Sequence, residues 1–471
     1  MAGGHCYLVI DQGGHASRAL LYDANGHLVA AASRPITLHR PSPERAEHDG
    51  DEIIDSICTA VAAVMSEVGD REVAAAGLAV QRSSVVCWDR YDGRVLSPVL
   101  SWQDRRNAEW LGALTGQAAE IKRRTGLPLS PHYGAGKLRW CRDHLEEVRA
   151  AARAGRLAWG PLASFLVFRL TTRHCLCSDP ANASRTLLYN LDSGAWDPQL
   201  AQHFGLEVEA LPECVPTRHA FGELEVASRR IPLTVVTGDQ SAALFAFEGD
   251  PGQVVINLGT GAFLQRAMPW RPGTTLLLTS LAYRDDLSRV YAVEGTVNGA
   301  GSALDWTAAQ LGLEPAAVIA QLPAWLAQGG HPPLFLNSVA GLGTPYLSPL
   351  FAPRFVGKGS PAAHCVAAIE SIVFLLQVNL DELARLGIVS AVTVSGGLSR
   401  LDGLCQRLAD LSGIAISRPT DHEATARGLL YLVGGARPPT PVTCFLPQPQ
   451  AALSNRYRDW RRALETALCI P

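Results

Sequence analysis

The sequence lacks any apolar run expected to form a membrane-spanning helix, and Asp11 interrupts its first apolar stretch before a signal-peptide core can develop. A cytoplasmic protein is the expectation. It also lacks an excess of charge of either sign. Against 41 Lys and Arg stand 44 Asp and Glu, a formal net charge of -3 that supplies no global attraction to nucleic acid or to an anionic membrane. Neither is expected as a partner. The 11 cysteines are odd in number and scattered through 471 residues, which speaks against a disulfide framework and for reduced, packed thiols. Only His174-Cys175-x-Cys177 is tightly clustered, and without a second half it does not make a metal site. Glycine and proline are dispersed, so no low-complexity tail is expected. With 47% hydrophobic and 18% charged residues, a chain of this length suits two globular domains.

Two absences matter for chemistry. No Gly-Lys-Ser/Thr follows a glycine-rich turn, which excludes a classical P-loop. No glycine-rich turn of the two segments below runs from strand into helix, which excludes a Rossmann fingerprint there. What is present is a strand-turn-strand pattern built twice, in residues 7–23 (YLVIDQGGHASRALLYD) and 254–268 (VVINLGTGAFLQRAM). Gly13 and Gly14 in one turn, and Gly259 and Gly261 in the other, permit positive φ and bring backbone N–H groups near an anion. Either turn alone reads as an ordinary hairpin. Two in matching contexts, with acidic residues beside them, point to phosphate. Between them VVTGDQ, 235–240, is a strand that delivers Asp239 at its carboxyl end, where ligands of open α/β sheets gather. Together they predict ATP-dependent phosphoryl transfer between two related halves.

Periodicity predicts strands at 7–10, 19–22, 27–32 and 76–80, and a helix at 52–68 with Ile53, Ile54, Ile57, Val61 and Val64 inward. A helix at 241–247 ends before Gly249-Asp250-Pro251, whose turn residues mark a domain boundary. The expected domains are 1–248, the substrate and metal side, and 249–471, the nucleotide side. Further on come a long helix at 363–386, a strand at 392–394 and a helix at 401–411. Ser395-Gly396-Gly397 opens that last helix, either to present N–H groups to a nucleotide or to pack tightly.

Several separated motifs together resemble the FGGY carbohydrate kinase family, and within it the glycerol kinase branch, over nearly the whole chain. They are Asp11-Gln12-Gly13 with Ser17-Arg18, Glu47-His48-Asp49, Trp102-Gln103-Asp104-Arg105-Arg106, Asn182-Ala183-Ser184-Arg185-Thr186, Gly238-Asp239-Gln240, Gly259-Thr260-Gly261 and Ser395-Gly396-Gly397, in the family's order. The resemblance implies an α/β architecture of two actin-like, ribonuclease-H-like domains that close on ATP and substrate in the cleft between them. It also implies a homodimer. Asp239 would be the general base toward the acceptor hydroxyl, and Asp11, with Asp239, would hold Mg2+. Gly13, Gly14, Arg18, Gly259, Thr260 and Gly261 would contact phosphate, with Gly301, Asp305 and Gly397 near the nucleoside.

The acceptor would meet Arg82, Ser83, Trp102, His132, Asp239 and Phe263, and here the chain departs from the pattern. Ser83 stands where an acidic residue is expected, and His132 where a tyrosine is, unless Tyr133 takes that place. Loss of a carboxylate removes an acceptor for two polyol hydroxyls, so a substrate other than glycerol is expected. Gly14 and His15 replace two threonines of the first phosphate loop, and Leu401 replaces a polar residue near the adenine. The leading reading is an ATP-dependent kinase of a small polyol or sugar. A ketose kinase of xylulose or ribulose type, or a nucleotide-gated binding protein with little turnover, are the alternatives.

Overall fold

Strand β1 (Cys6–Gln12) reads CYLVIDQ and buries six of its seven residues, the signature of a strand flanked on both edges and covered on both faces. In the computed structural model, which describes residues 5–69, 71–226, 228–247, 250–328, 330–348, 350–421, 423–437, 439–448 and 450–469, this strand lies inside a six-stranded sheet. Its partners are β2 (Ala16–Asp23), β3 (Leu28–Pro35), β4 (Val73–Val80), β5 (Arg218–Val226) and β6 (Arg229–Gly238), in the order β5-β6-β4-β1-β2-β3. Helix α1 (Gly50–Met65) crosses from β3 to β4. Asp49 caps it by accepting from the Asp51 and Glu52 amides, and Ile53, Ile54, Ile57, Val61 and Val64 are buried beneath it as expected.

Between β4 and β5 the chain inserts a smaller lobe that includes α2 (Ala118–Thr125) and α3 (Gly134–His144). After β6 a short α4 (Asp239–Ala243) leads into a seven-stranded sheet. Its strands are β7 (Gln253–Leu258), β8 (Ala262–Met268), β9 (Leu278–Arg284), β10 (Arg289–Val297), β11 (Ala391–Ser395), β12 (Ile416–Pro419) and β13 (Val442–Phe445), in the order β9-β10-β8-β7-β11-β12-β13. Pairings β3-β2-β1-β4-β6-β5 run antiparallel, antiparallel, parallel, parallel, antiparallel. Pairings β10-β8-β7-β11-β12-β13 run the same way. The duplication expected from two hairpins thus extends to the whole sheet.

Helices α5 (Gly301–Leu311), α6 (Pro361–Ala384) and α7 (Asp402–Ser412) belong to the second half. Contrary to the expectation of no such run, α6 is long and apolar enough to cross a membrane by length and composition. Yet 83% of its most apolar window is buried inside the protein, where it forms the spine of the second core. Helix α8 (Ala424–Val433) follows β12 in sequence but packs on the first sheet. Its Ala426, Leu429, Leu430 and Leu432 cluster with Val9, Leu20, Ala79 and Val235. Gly77 is required there, because a Cβ would stand 2.7 Å from Val433 and 2.8 Å from Leu429. Burying four aliphatic side chains of this kind contributes on the order of 6 kcal/mol or more toward tying the two halves together.

Two expectations need correction. The helix at 241–247 is shorter, since after Ala243 the amides of Phe245 and Ala246 bond to Ala242 and Ala243 three residues back, tightening the last turn. None of Gly13, Gly14, Gly259 and Gly261 has positive φ, so their role is not left-handed backbone. The boundary between residues 248 and 249 lies outside the described residues. All 11 cysteines are free, and among the described residues no group of three or more His, Cys, Asp or Glu side chains is disposed to hold a metal.

Candidate active site

Parallel strands β1, β4 and β6 end together, with Asp11 level with Ala79 and Thr237, and Gln12 with Val80 and Gly238. Asp11 and Asp239 therefore stand two strands apart at the carboxyl edge of one sheet. Burial raises the pKa of the Asp11 carboxyl, against the ion pair with Arg18. Arg18 reaches on to Glu423, at the head of α8, at 2.6 Å. The Asp239 side chain is 27% exposed toward the cleft, takes the Gln240 amide at 2.7 Å and has Arg82 Nε at 3.8 Å. Burial pushes its pKa up to about 6; Arg82 and that amide hold it down, while the Asp11 charge pushes it further up. A carboxylate poised there is ionised at neutral pH yet basic enough to take a proton.

The two hairpin loops differ in construction. In the first, Gly13 N–H donates to Ala16 O at 3.0 Å, and Gln12 and Gln81 side-chain amides converge on Gly13 O. A Cβ at Gly14 would sit 3.7 Å from Trp102 Nε1, which puts this loop against the tryptophan predicted to line the acceptor pocket. His15 is exposed at its tip. In the second, Gly259 N–H donates to Gly261 O at 2.9 Å, while Thr260 O accepts from the Ala300 and Ser302 amides at 3.0 and 3.1 Å. The loop is clamped to the start of α5, whose Gly301 N–H bonds Gly259 O. Here glycine answers to close approach, since a Cβ at Gly261 would come within 3.1 Å of two carbonyl oxygens and one at Gly301 within 3.0 Å of another. Gly396, at φ 89°, passes so near β7 that a Cβ would lie 2.5 Å from Leu258 O, bringing Gly397 to the same edge. Gly397 opens a short 3-10 turn, 397–400, before α7; Asp305 is exposed on α5, and Leu401 is half-buried ahead of α7.

Buried charge dominates the side where the acceptor residues were expected. Arg82 donates from Nη1 to Glu294 Oε1 at 2.5 Å and from Nη2 to the Gln240 side-chain Oε1. Glu294 lies on β10, in the second half, and its other oxygen, Oε2, accepts from Arg185 Nη1 at 2.5 Å; Gln265 Nε2 donates to Oε1, beside Arg82. Burial alone would raise the pKa of Glu294, but Arg185 and Arg82 bring it down to about 2. One carboxylate thus joins two arginines of the first half across the cleft. Ser83, next to Arg82, is held at φ 66°, and its buried hydroxyl has no hydrogen-bond partner among the described residues. Trp102 and His132 meet edge to face at 5.5 Å, and Arg185 lies over the Tyr133 ring at 5.2 Å. Burial, with Lys137, Arg185 and Arg82 adding to it, keeps the His132 pKa well below its usual value, so the imidazole is neutral. Phe263 is half-buried on β8, opposite Thr296 of β10.

Sequence reasoning left several of these residues without a role. Lys137, one of only three lysines in the chain, is fully buried and donates to Ser83 O at 3.1 Å, Ser101 O at 2.8 Å and His132 O at 2.9 Å. A single ammonium therefore pins the three backbone segments that carry Ser83, Trp102 and His132. Burial pulls its pKa down to about 7, with Asp104 opposing and Arg106 assisting. Glu294 had a readable signal, an acid inside the otherwise apolar stretch that follows Arg289 in the strand RVYAVEGTV. Arg185 was legible only as part of a motif. Within the other motifs, Asp49 is a helix cap, and Asp104 and Glu47 both pair with Arg106.

Comparison with known proteins bears on this arrangement. The family model for the N-terminal domain of FGGY carbohydrate kinases matches residues 6–246, and that for the C-terminal domain matches 254–436. Glycerol kinase of Ralstonia nicotianae is 36% identical over 448 residues, covering 91% of this chain and 89% of the relative. That of Geobacter sp. (strain M21) is 34% identical over 490 residues, covering 98% of each. Among solved structures, Plasmodium falciparum glycerol kinase with ADP superposes with a TM-score of 0.89 at 22% identity, covering 99% of this chain and 98% of that one. Xylulose kinase from Rhodospirillum rubrum gives 0.87 at 21% identity, covering 99% of both. At such identities the structural likeness establishes the two-domain fold.

Proposed function

The chain belongs to the FGGY family of carbohydrate kinases and transfers phosphate from ATP to a hydroxyl of a small polyol or sugar; from that premise we propose that its preferred acceptor is not glycerol. Asp239 is the general base in this reading. Its carboxylate takes the proton of the acceptor hydroxyl as that oxygen bonds to the γ-phosphorus, and the bond from γ-phosphorus to the β–γ bridging oxygen breaks. The observation that carries it is the Asp239 carboxyl at the sheet edge, with a pKa of about 6 and Arg82 beside it. Arg82 orients the acceptor while Glu294 and Gln240 hold its guanidinium.

Asp11 and Asp239 suit Mg2+: they are carboxylate oxygens at one sheet edge, with Asp11's charge already perturbing Asp239. When bound, the ion offsets charge on the transferring phosphoryl group. The Gly259-Thr260-Gly261 loop meets phosphate through the Thr260 and Gly261 amides, those of Gly259, Ala300, Gly301 and Ser302 being engaged within the clamp, and Gly301, Asp305 and Gly397 flank the nucleoside. We further assign the halves to 1–248 and 249–471, with α8 returning to the first, and take the protein to be a cytoplasmic homodimer.

The choice of acceptor turns on residue 83. Without a carboxylate there, two adjacent hydroxyls lose their shared acceptor, and the unspent bonding capacity of Ser83 suits a differently placed group. The same observation favours, as a second reading, a ketose acceptor of the xylulose or ribulose type. A coupled ADP-release assay over glycerol, tetritols, pentitols and ketopentoses, with a no-acceptor control, tests both. ADP release that depends on a four- or five-carbon acceptor is expected. Glycerol as the best substrate would refute the altered pocket, and release independent of any acceptor would refute the kinase role of Asp239.

A further inference from the structure

Away from the catalytic edge, a cavity of about 890 Å3 opens between α2 of the inserted lobe and residues 271–279 of the second half. None of the acceptor or phosphate residues lines it. Its floor and walls are apolar, formed by Ala119, Pro128, Leu129, Leu276 and Leu277, and Leu276 is 50% exposed where an isolated leucine gains nothing from water. Its rim is cationic. Lys122, Arg123 and Arg271 face a single acid, Asp192, which Arg271 already engages while also donating to the Arg123 carbonyl. Among the described residues neither the Lys122 nor the Arg123 side chain has a carboxylate partner, and burial depresses the Lys122 pKa. A half-buried ammonium without a counter-ion, set over an apolar floor, is complementary to a negative head on a hydrocarbon body.

We propose that this cavity is a binding site for an amphipathic anion, a carboxylate or phosphate monoester carried on an aliphatic chain. Because its walls come from both halves, the occupant spans them. At its floor the Thr279 amide donates to Gly126 O at 2.9 Å, one of the hydrogen bonds that tie the inserted lobe to β9. From Gly126 the chain passes through Pro128 and Leu129 directly to His132, whose carbonyl is held by Lys137. Occupancy therefore reaches the acceptor pocket through this segment, while no phosphate-loop residue lines the cavity, an effector role that rests on the acceptor assignment above.

Isothermal titration of the intact protein with decanoate and with decyl phosphate tests the site, using decan-1-ol and inorganic phosphate as controls. One saturable site per chain is expected for the two anions, with each control at least about tenfold weaker. Ala119→Trp, a filling change at an exposed helix position, should abolish binding, and Lys122→Met should weaken it about tenfold. Absence of saturable binding, decan-1-ol binding as tightly as decanoate, or native affinity in both variants would overturn the site. In steady-state kinetics decanoate should change the acceptor KM at least about twofold with the ATP KM unchanged. An unchanged acceptor KM would overturn the effector role. The titration needs no turnover, so its failure is separable from failure of the kinase reading.

Discussion

The cleft has two walls made in different ways. On the phosphate wall, Gly259, Thr260, Gly261 and Gly301 are joined by main-chain hydrogen bonds, with ordinary φ values and no ion pair. On the acceptor wall, Arg82, Arg185 and Glu294 form a buried charge cluster, Lys137 holds three carbonyls, and Ser83 sits in left-handed backbone with a hydroxyl that has no partner among the described residues. Every nucleotide offers the same phosphates, so on the proposed assignment a few free backbone amides in a fixed loop would suffice to receive them. Discriminating among polyols needs directional side chains held against desolvation and strain. Stability is thus given up on the acceptor wall.

The largest effect is expected where the walls meet. Asp239→Asn should lower kcat about 100-fold or more while ATP binding persists, because the shape stays and the proton acceptor goes. The native kcat/KM should show an acid limb near pH 6, activity falling as Asp239 takes up a proton below it. A carboxyl whose folded pKa is raised above its unfolded value binds protons more tightly when folded, so stability falls as pH rises from about 4 to about 6. Asp239→Asn should abolish that part of the pH dependence and be the more stable protein at pH 7 in denaturant unfolding. Wild-type turnover in this variant would remove the general base from the account.

Next comes Glu294→Gln, which leaves two buried guanidinium groups without their carboxylate. Loss of about 3 to 5 kcal/mol of stability is expected from breaking such a pair. The acid limb should move below pH 6, because the freed positive charge favours ionised Asp239. A limb that stays in place or moves up would show that Glu294 does not act on the base. Lys137→Met should cost about 3 kcal/mol by stranding three carbonyls and raise the acceptor KM about tenfold, with the ATP KM nearly constant. Equal changes in both KM values would erase the division between the walls. Smallest is Gly261→Ala, whose Cβ meets two carbonyl oxygens at 3.1 Å. It should raise the ATP KM about fivefold and leave the acceptor KM alone.

This division also explains what could be read in advance. The paired hairpins, the strand ending at Asp239 and the α1 stripe were legible because each depends on local alternation or spacing. The Arg82–Glu294 and Arg185–Glu294 contacts span 212 and 109 residues, and no local pattern encodes them. Lys137 was invisible for another reason: its partners are carbonyls, which every residue has. Gly259 and Gly261 were identified correctly as loop residues, but positive φ is not the ground for either, and crowding by neighbouring backbone governs Gly261. Helix α8 reads as a piece of the second half, yet Gly77 lets it lie on the first sheet and Gly428 lets it close against α4, an approach set by tertiary packing.

The central claim is that the acceptor wall, at residue 83, makes this kinase choose something other than glycerol. Measuring kcat/KM for glycerol, tetritols, pentitols and ketopentoses in the native protein and in Ser83→Glu tests it most directly. The native protein should prefer a four- or five-carbon acceptor, and the restored carboxylate should shift preference toward glycerol, each charge-assisted hydrogen bond contributing about 1.5 to 3 kcal/mol before desolvation is subtracted. A native preference for glycerol that Ser83→Glu lowers would contradict the account.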